Sequence, residues 1–136
     1  MQLKQDKEQE MNSMTNPIDS SLRNQWGIYA LVLNGRIIYI GKSINLYRRL
    51  NEHRLAILKA LKKPLKGYPN RKYNYIASAI QHGATITYMI LKHLDNTDKK
   101  QLDKWETFFI QEWRPQFNIE KNGEDGGCSY SGVRRY

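Results

Sequence analysis

Residues 1–24 are dominated by Gln, Asn, Ser, Lys and Glu with almost no apolar periodicity, and the pattern changes abruptly at Gln25. Trp26-Gly-Ile-Tyr-Ala-Leu-Val-Leu33 is a nearly continuous β-prone run, Asn34-Gly35 interrupts it, and Arg36-Ile-Ile-Tyr-Ile-Gly41 resumes it. Two such runs flanking Asn-Gly predict a β-hairpin. Asn45 then stands where a helix N-cap belongs, and Leu46, Leu50, Ile57 and Leu61 recur at helical spacing toward Pro64, which cannot continue a helix. From Lys62 to Lys72 the chain reads as a basic loop containing Pro and Gly. A short helical pattern follows (Tyr75, Ile76, Ala79, Ile80) and stops at Gly83. Thr85 to Leu91 is rich in β-branched residues and reads as a third strand. A last helix starts at Thr97 or Asp98 and ends before Arg114-Pro115, because the residue preceding a proline disfavours helical geometry. The pattern therefore predicts a small single α/β domain over residues 25–120, with a three-stranded antiparallel sheet flanked by helices. A flexible polar arm (1–24) precedes it and a Gly-containing C-terminal tail (121–136) follows.

Composition agrees with a single folded domain. A chain of 136 residues has room for one hydrophobic core, and 40% hydrophobic residues with nine Tyr and three Trp exclude a disordered segment. The formal charge of +9 changes the picture more, because of where it sits. Between Lys42 and Lys72 ten basic residues face only Glu52, so this stretch carries the whole excess. Such a localised surplus points to a polyanionic partner, with a merely solubilising face as the alternative. No apolar run approaches the roughly 20 residues of a membrane span, and the polar N-terminus lacks the apolar core of a secretory signal. A cytoplasmic protein with no membrane partner is expected. Cys128 is the only cysteine, which leaves no disulfide framework and no cysteine zinc site. His53, His82 and His93 lack the local spacing of a metal cluster.

Three groups of residues carry candidate chemistry. Glu106 has Leu102, Phe109 and Ile110 as its neighbours at helical spacing, so a carboxylate lies on or beside an apolar stripe. It needs either a Lys or Arg partner or a metal ion. Arg49 and His53, four apart, share one face of the first helix. Tyr29 and Tyr39 lie one on each hairpin strand. Singly, each has a structural explanation: an ion pair, a solvated helix face, cross-strand packing.

Together they resemble a known family. Gly27-Ile28-Tyr29 followed, after a short hairpin, by Tyr39-Ile40-Gly41 is the signature of the GIY-YIG nuclease superfamily. Lys42, Arg49, Glu106 and the sequence Arg114-Pro115-Gln116-Phe117-Asn118 extend the resemblance to about Gly27–Asn118. The resemblance implies a phosphodiester-hydrolysing endonuclease acting on DNA, one strand per active site, with one Mg²⁺ or Mn²⁺ held by Glu106. Arg49 would stabilise charge on the phosphate. Tyr29 resembles the family's general base, with Tyr39 positioning water or phosphate; His53 is the rival base. A tyrosine ordinarily titrates at about 10, so Tyr29 would need help from the nearby cation Lys42 or from the metal to act near neutrality. Gly27, Gly35, Gly41 and Asn118 would be structural.

A shared active site also constrains the hairpin. A two-residue loop would place Tyr29 and Tyr39 on opposite faces of the sheet. A three-residue loop, Leu33 to Gly35, with Gly35 as a G1 bulge, pairs Val32 with Arg36 and sets Tyr29 opposite Tyr39, and is the expected form. Arg48, Arg54, Lys59, Lys62, Lys63, Lys66, Arg71 and Lys72 would grip the nucleic-acid backbone without reading sequence. Tyr68 and Tyr73 interleave with them and could stack on bases, and Tyr75 is expected in the core. A single-stranded DNA or RNA substrate, a non-catalytic basic nucleic-acid-binding module and a protein-interaction domain stay open as alternatives. So do a monomer and a homodimer.

Overall fold

The computed structural model describes residues 12–95 and 98–118. The expected hairpin, helices and strand all form. Strand β2 (Trp26–Leu33) pairs antiparallel with β3 (Arg36–Ser43) on one side and β4 (Ile86–Leu94) on the other. β2 is therefore central and covered on both faces, which is why its sequence runs continuously apolar instead of alternating. Helices α1 (Leu46–Lys62) and α2 (Arg71–Gln81) cover one face, and α3 (Lys99–Trp113) covers the other.

Local signals set the helix ends. Asn45 Oδ1 accepts from Arg48 N at 3.2 Å and also from Asn24 N at 3.1 Å, so one side chain caps α1 and ties down the segment before β2. Lys63, just before Pro64, is extended and ends the helix. Asp98 caps α3 through Lys100 N at 2.9 Å, and Gly83 turns the chain after α2 with φ of 98°.

Among the described residues the sheet has four strands, not the expected three. The extra strand, β1 (Asn12–Ser13), pairs with β4 at its outer edge and gives the order β1-β4-β2-β3. Residues 12–24 are thus part of the domain and not the flexible arm expected of them. Met14, Ile18 and Leu22 are buried in the core with Leu46, Leu50, Ile57, Tyr88 and their neighbours. Burial of three isolated apolar side chains, with the β1–β4 pairing and the Asn24–Asn45 hydrogen bond, holds a segment whose other positions are mostly polar. Residues 1–11 and the tail at 121–136 lie outside the described residues.

The hairpin also closes differently. Asn34 and Gly35 both have positive φ (50° and 82°), the mark of a two-residue type I′ turn, and Leu33 pairs with Arg36. The loop is not the three-residue form expected. Val32 pairs with Ile37, but Leu31 pairs with Tyr39, so Ile38 is an extra residue in β3. This bulge directs Ile38 and Tyr39 to the same face, and beyond it Tyr29 pairs with Gly41 instead of Tyr39. Tyr29 and Tyr39 still share a face, as a common site requires, with ring centroids 6.4 Å apart.

Because Met14 is wholly buried, Met14→Ala should lower unfolding stability by about 2 to 5 kcal/mol in urea titration. A loss under about 0.5 kcal/mol would show that residues 12–24 do not belong to the folding unit.

Candidate active site

The face covered by α1 and α2 holds a cluster of rings around one histidine. His53, on the inner side of α1, is wholly buried. The Tyr29 hydroxyl lies 2.6 Å from its Nε2 and the Tyr73 hydroxyl, from α2, lies 2.7 Å from its Nδ1. Tyr39 packs edge-on at 5.7 Å between ring centroids. Gly41 makes this possible: a Cβ at that position would overlap the hydroxyl end of the Tyr29 ring, so the absent side chain is the space the tyrosine fills.

Arg49, one turn before His53, lies beside Tyr29 and donates to Glu52 Oε1 at 2.7 Å. Lys72 closes the cluster from α2, its ammonium 4.7 Å from the Tyr39 ring centroid and 4.5 Å from that of Tyr73. Burial pushes the Tyr29 hydroxyl well above its usual range, and the neighbouring Tyr39 adds to this while Arg49 opposes it. Burial, then the charges of Arg49 and Lys72, pull His53 well below its usual 6.5. At neutral pH both groups are uncharged.

The opposite face carries the second half. Lys42 pairs in register with Ile28 and so shares the α3 side of the sheet. Its ammonium is bound to Asp103 and lies 3.6 Å from Glu106 Oε1. Glu106 is buried beside Leu102 and Ile110, where sequence spacing put it. The cation beside Tyr29 is accordingly Arg49 and not the Lys42 expected to assist it. The two halves meet at the successive residues Gly41 and Lys42, near the outer edge of β3. Asn118 supports that edge: its Nδ2 donates to Ile40 O at 3.0 Å and its Oδ1 accepts from Ile40 N at 2.8 Å.

The basic residues divide by exposure. Arg48, Lys59, Lys62, Lys63, Lys66 and Arg71 are exposed, whereas Arg54 and Lys72 are half-buried, Lys72 against the tyrosines. Tyr75 is 45% exposed and packs on Phe117, in contrast to its expected core position. Tyr73 is the buried one. The apolar stripe of α2 runs through Tyr73, Ile76 and Ala77, and that spacing is the signal that would have found Tyr73. Asp103, three residues before Glu106 on one helical face, was likewise legible as a second carboxylate.

Residues 25–120 match the model of the GIY-YIG catalytic domain, and the chain belongs to this family; it is a nuclease. It resembles Endonuclease II of Enterobacteria phage T4, 28% identical over 109 residues that cover 74% of this chain and 77% of that protein. A solved structure of a glutamate-to-alanine mutant of bacteriophage T4 EndoII matches with a TM-score of 0.50 and 28% sequence identity, covering 71% of this chain and 74% of that one.

A buried histidine held neutral leaves a mark on stability. Below its ordinary value of 6.5, the unfolded chain binds a proton that the folded chain refuses, so stability is fully present above pH 6.5 and is lost as the pH falls. One such group gives a slope of about 1.4 kcal/mol per pH unit. Urea titrations between pH 7 and 5 should show this slope, and His53→Gln should flatten it; an unchanged slope would mean that His53 is charged in the fold.

Proposed function

We propose that the chain is a metal-dependent DNA endonuclease hydrolysing one phosphodiester per active site, with the scissile phosphate at the outer edge of β3 near Gly41 and Lys42. The observation that carries this is the buried pair of Tyr29 and His53 at 2.6 Å, with the Arg49 guanidinium beside it. A tyrosine whose anion is costly and a histidine whose cation is costly do not exchange a standing charge. They can relay a proton while bonds change. Water entering with the substrate beside half-buried Tyr39 gives its proton to the Tyr29 oxygen, as Tyr29 passes its own hydroxyl proton to His53 Nε2. This joins the two rival bases into one path. Arg49 holds the phosphate oxygens as negative charge grows on them.

The residues on the α3 face fit a hard divalent ion. Among the described residues no group of three or more His, Cys, Asp or Glu gathers to hold a metal, and Mg²⁺ or Mn²⁺ needs none. One or two carboxylates, with water and substrate oxygens completing the shell, is the habit of magnesium. Glu106 would hold the ion, with Asp103 one turn away. Bound there, it supplies a Lewis acid for the phosphate and the departing sugar oxygen. Lys42 neutralises the buried carboxylate of Glu106, so both expected remedies, a basic partner and a metal, suit this residue.

The local charge excess supports a nucleic-acid substrate, the phage relative's name, Endonuclease II, supports cleavage within a strand, and DNA is the polymer we propose. Arg48, Lys59, Lys62, Lys63, Lys66 and Arg71 are placed to hold the flanking backbone, with Arg54 and Lys72 nearer the core.

Incubation with supercoiled plasmid and Mg²⁺ should give nicked circles, and chelator or Glu106→Ala should abolish nicking. Equal nicking by the mutant would sink the metal reading; binding without any nicking by the wild type would leave a binding module. Arg49→Ala should cut turnover about 10²- to 10³-fold with little change in binding. Replacing Lys62, Lys63 and Lys66 together by Ser should instead weaken binding and flatten its log-log salt dependence, by about 0.9 for each phosphate that is no longer neutralised.

A further inference from the structure

His53 is buried with a tyrosine hydroxyl on each ring nitrogen, and only one of those tyrosines belongs to the signature triads. A neutral imidazole has one N–H donor and one acceptor nitrogen, so one tyrosine must donate to it and the other accept from it. The surroundings decide which. The Arg49 guanidinium lies beside Tyr29 and carries only donors, so it offers the Tyr29 hydroxyl hydrogen no acceptor. The hydroxyl hydrogen of Tyr29 then has His53 Nε2, 2.6 Å away, as its acceptor in a pocket where Tyr29 itself meets no solvent. The ring proton is left on Nδ1, 2.7 Å from the Tyr73 hydroxyl. Tyr73 sits at the margin of the core, 9% exposed, so its oxygen can accept while its own hydrogen turns outward.

We propose that Tyr73 is a positioning residue that fixes His53 in the Nδ1–H tautomer, which makes Nε2 the acceptor for the proton of Tyr29. The groups facing the ring are Tyr29 from β2, Tyr39 from β3, Arg49 from α1, and Tyr73 with Lys72 from α2. Two of these are cations, which keep the ring neutral and so make the choice of tautomer matter. A histidine in the other tautomer would present Nε2–H to Tyr29 and could take no proton from it. The catalytic consequence, but not the tautomer, rests on the nuclease reading.

Two-bond ¹H–¹⁵N spectra of the full chain, with the His53 signals assigned by His53→Gln, read the tautomer directly. The wild type should show a protonated Nδ1, and a protonated Nε2 would overturn the proposal without any further variant. Tyr73→Phe keeps the ring and its packing under Lys72 but removes the oxygen. It should shift His53 toward the Nε2–H form and lower kcat for plasmid nicking about 10- to 100-fold, a part of what a positioned base contributes, with KM unchanged. An unmoved tautomer in Tyr73→Phe overturns the proposal, even with slower cleavage, since Tyr73 would then be only a packing residue. If the wild type does not nick DNA, the nuclease reading fails and the spectra still decide whether Tyr73 orients His53.

Discussion

The Tyr29 ring occupies the space that a side chain at position 41 would need, and much of the site follows from that one packing constraint. With glycine opposite, the hydroxyl passes over β3 and reaches His53 on α1. The contact requires a particular register. The two-residue turn at Asn34-Gly35, continued without interruption, would pair Tyr29 with Ile40 and send Tyr39 to the other face of the sheet. The extra residue at Ile38 shifts the pairing by one, so that Gly41 comes opposite Tyr29 and both tyrosines meet His53. The turn chemistry and the site chemistry make different demands on β3, and the bulge satisfies both.

The same residue shows where sequence reasoning stops. Asn34-Gly35 announces its own turn because both positions need positive φ, and Asn45 and Asp98 announce helix starts because their side chains cap backbone donors. Each is a local effect that one residue type meets best. A bulge at Ile38 is no such effect. Isoleucine is an ordinary strand residue, and its displacement is favoured only by what the neighbouring elements pack against the strand. The requirement that the tyrosines share a face was readable from their chemistry; the means of meeting it was not. Tyr73 was missed for a related reason. Its role depends on α2 crossing α1 at the level of His53, a tertiary fact, although its place on the helix stripe was visible.

Residues 12–24 illustrate the converse limit. Their polar composition argued for an arm, yet Met14, Ile18 and Leu22 reach the core and Met14 N donates to Ile86 O at 3.0 Å. Average polarity says little about a segment that lies along a sheet edge, where alternate positions face water and a few anchoring side chains supply the burial.

The edge position of β3 gives the proposed site its form. Side chains of successive strand residues point to opposite faces, so the tyrosine side at Gly41 and the carboxylate side at Lys42 are separated by the sheet itself. On a central strand such as β2, neighbouring strands and both helical layers would keep any one phosphate from reaching groups of both faces. At an edge, a ligand can straddle the strand. Asn118 pairs with both backbone groups of Ile40, which secures β3 at that point and protects it from pairing with another chain. The residues next along the strand are Gly41 and Lys42. A phosphate seated against them would have Arg49 and Tyr39 on one side and Lys42 with Glu106 on the other. In the proposed reading, two half-sites in separate cores would become a single catalytic centre around one shared substrate.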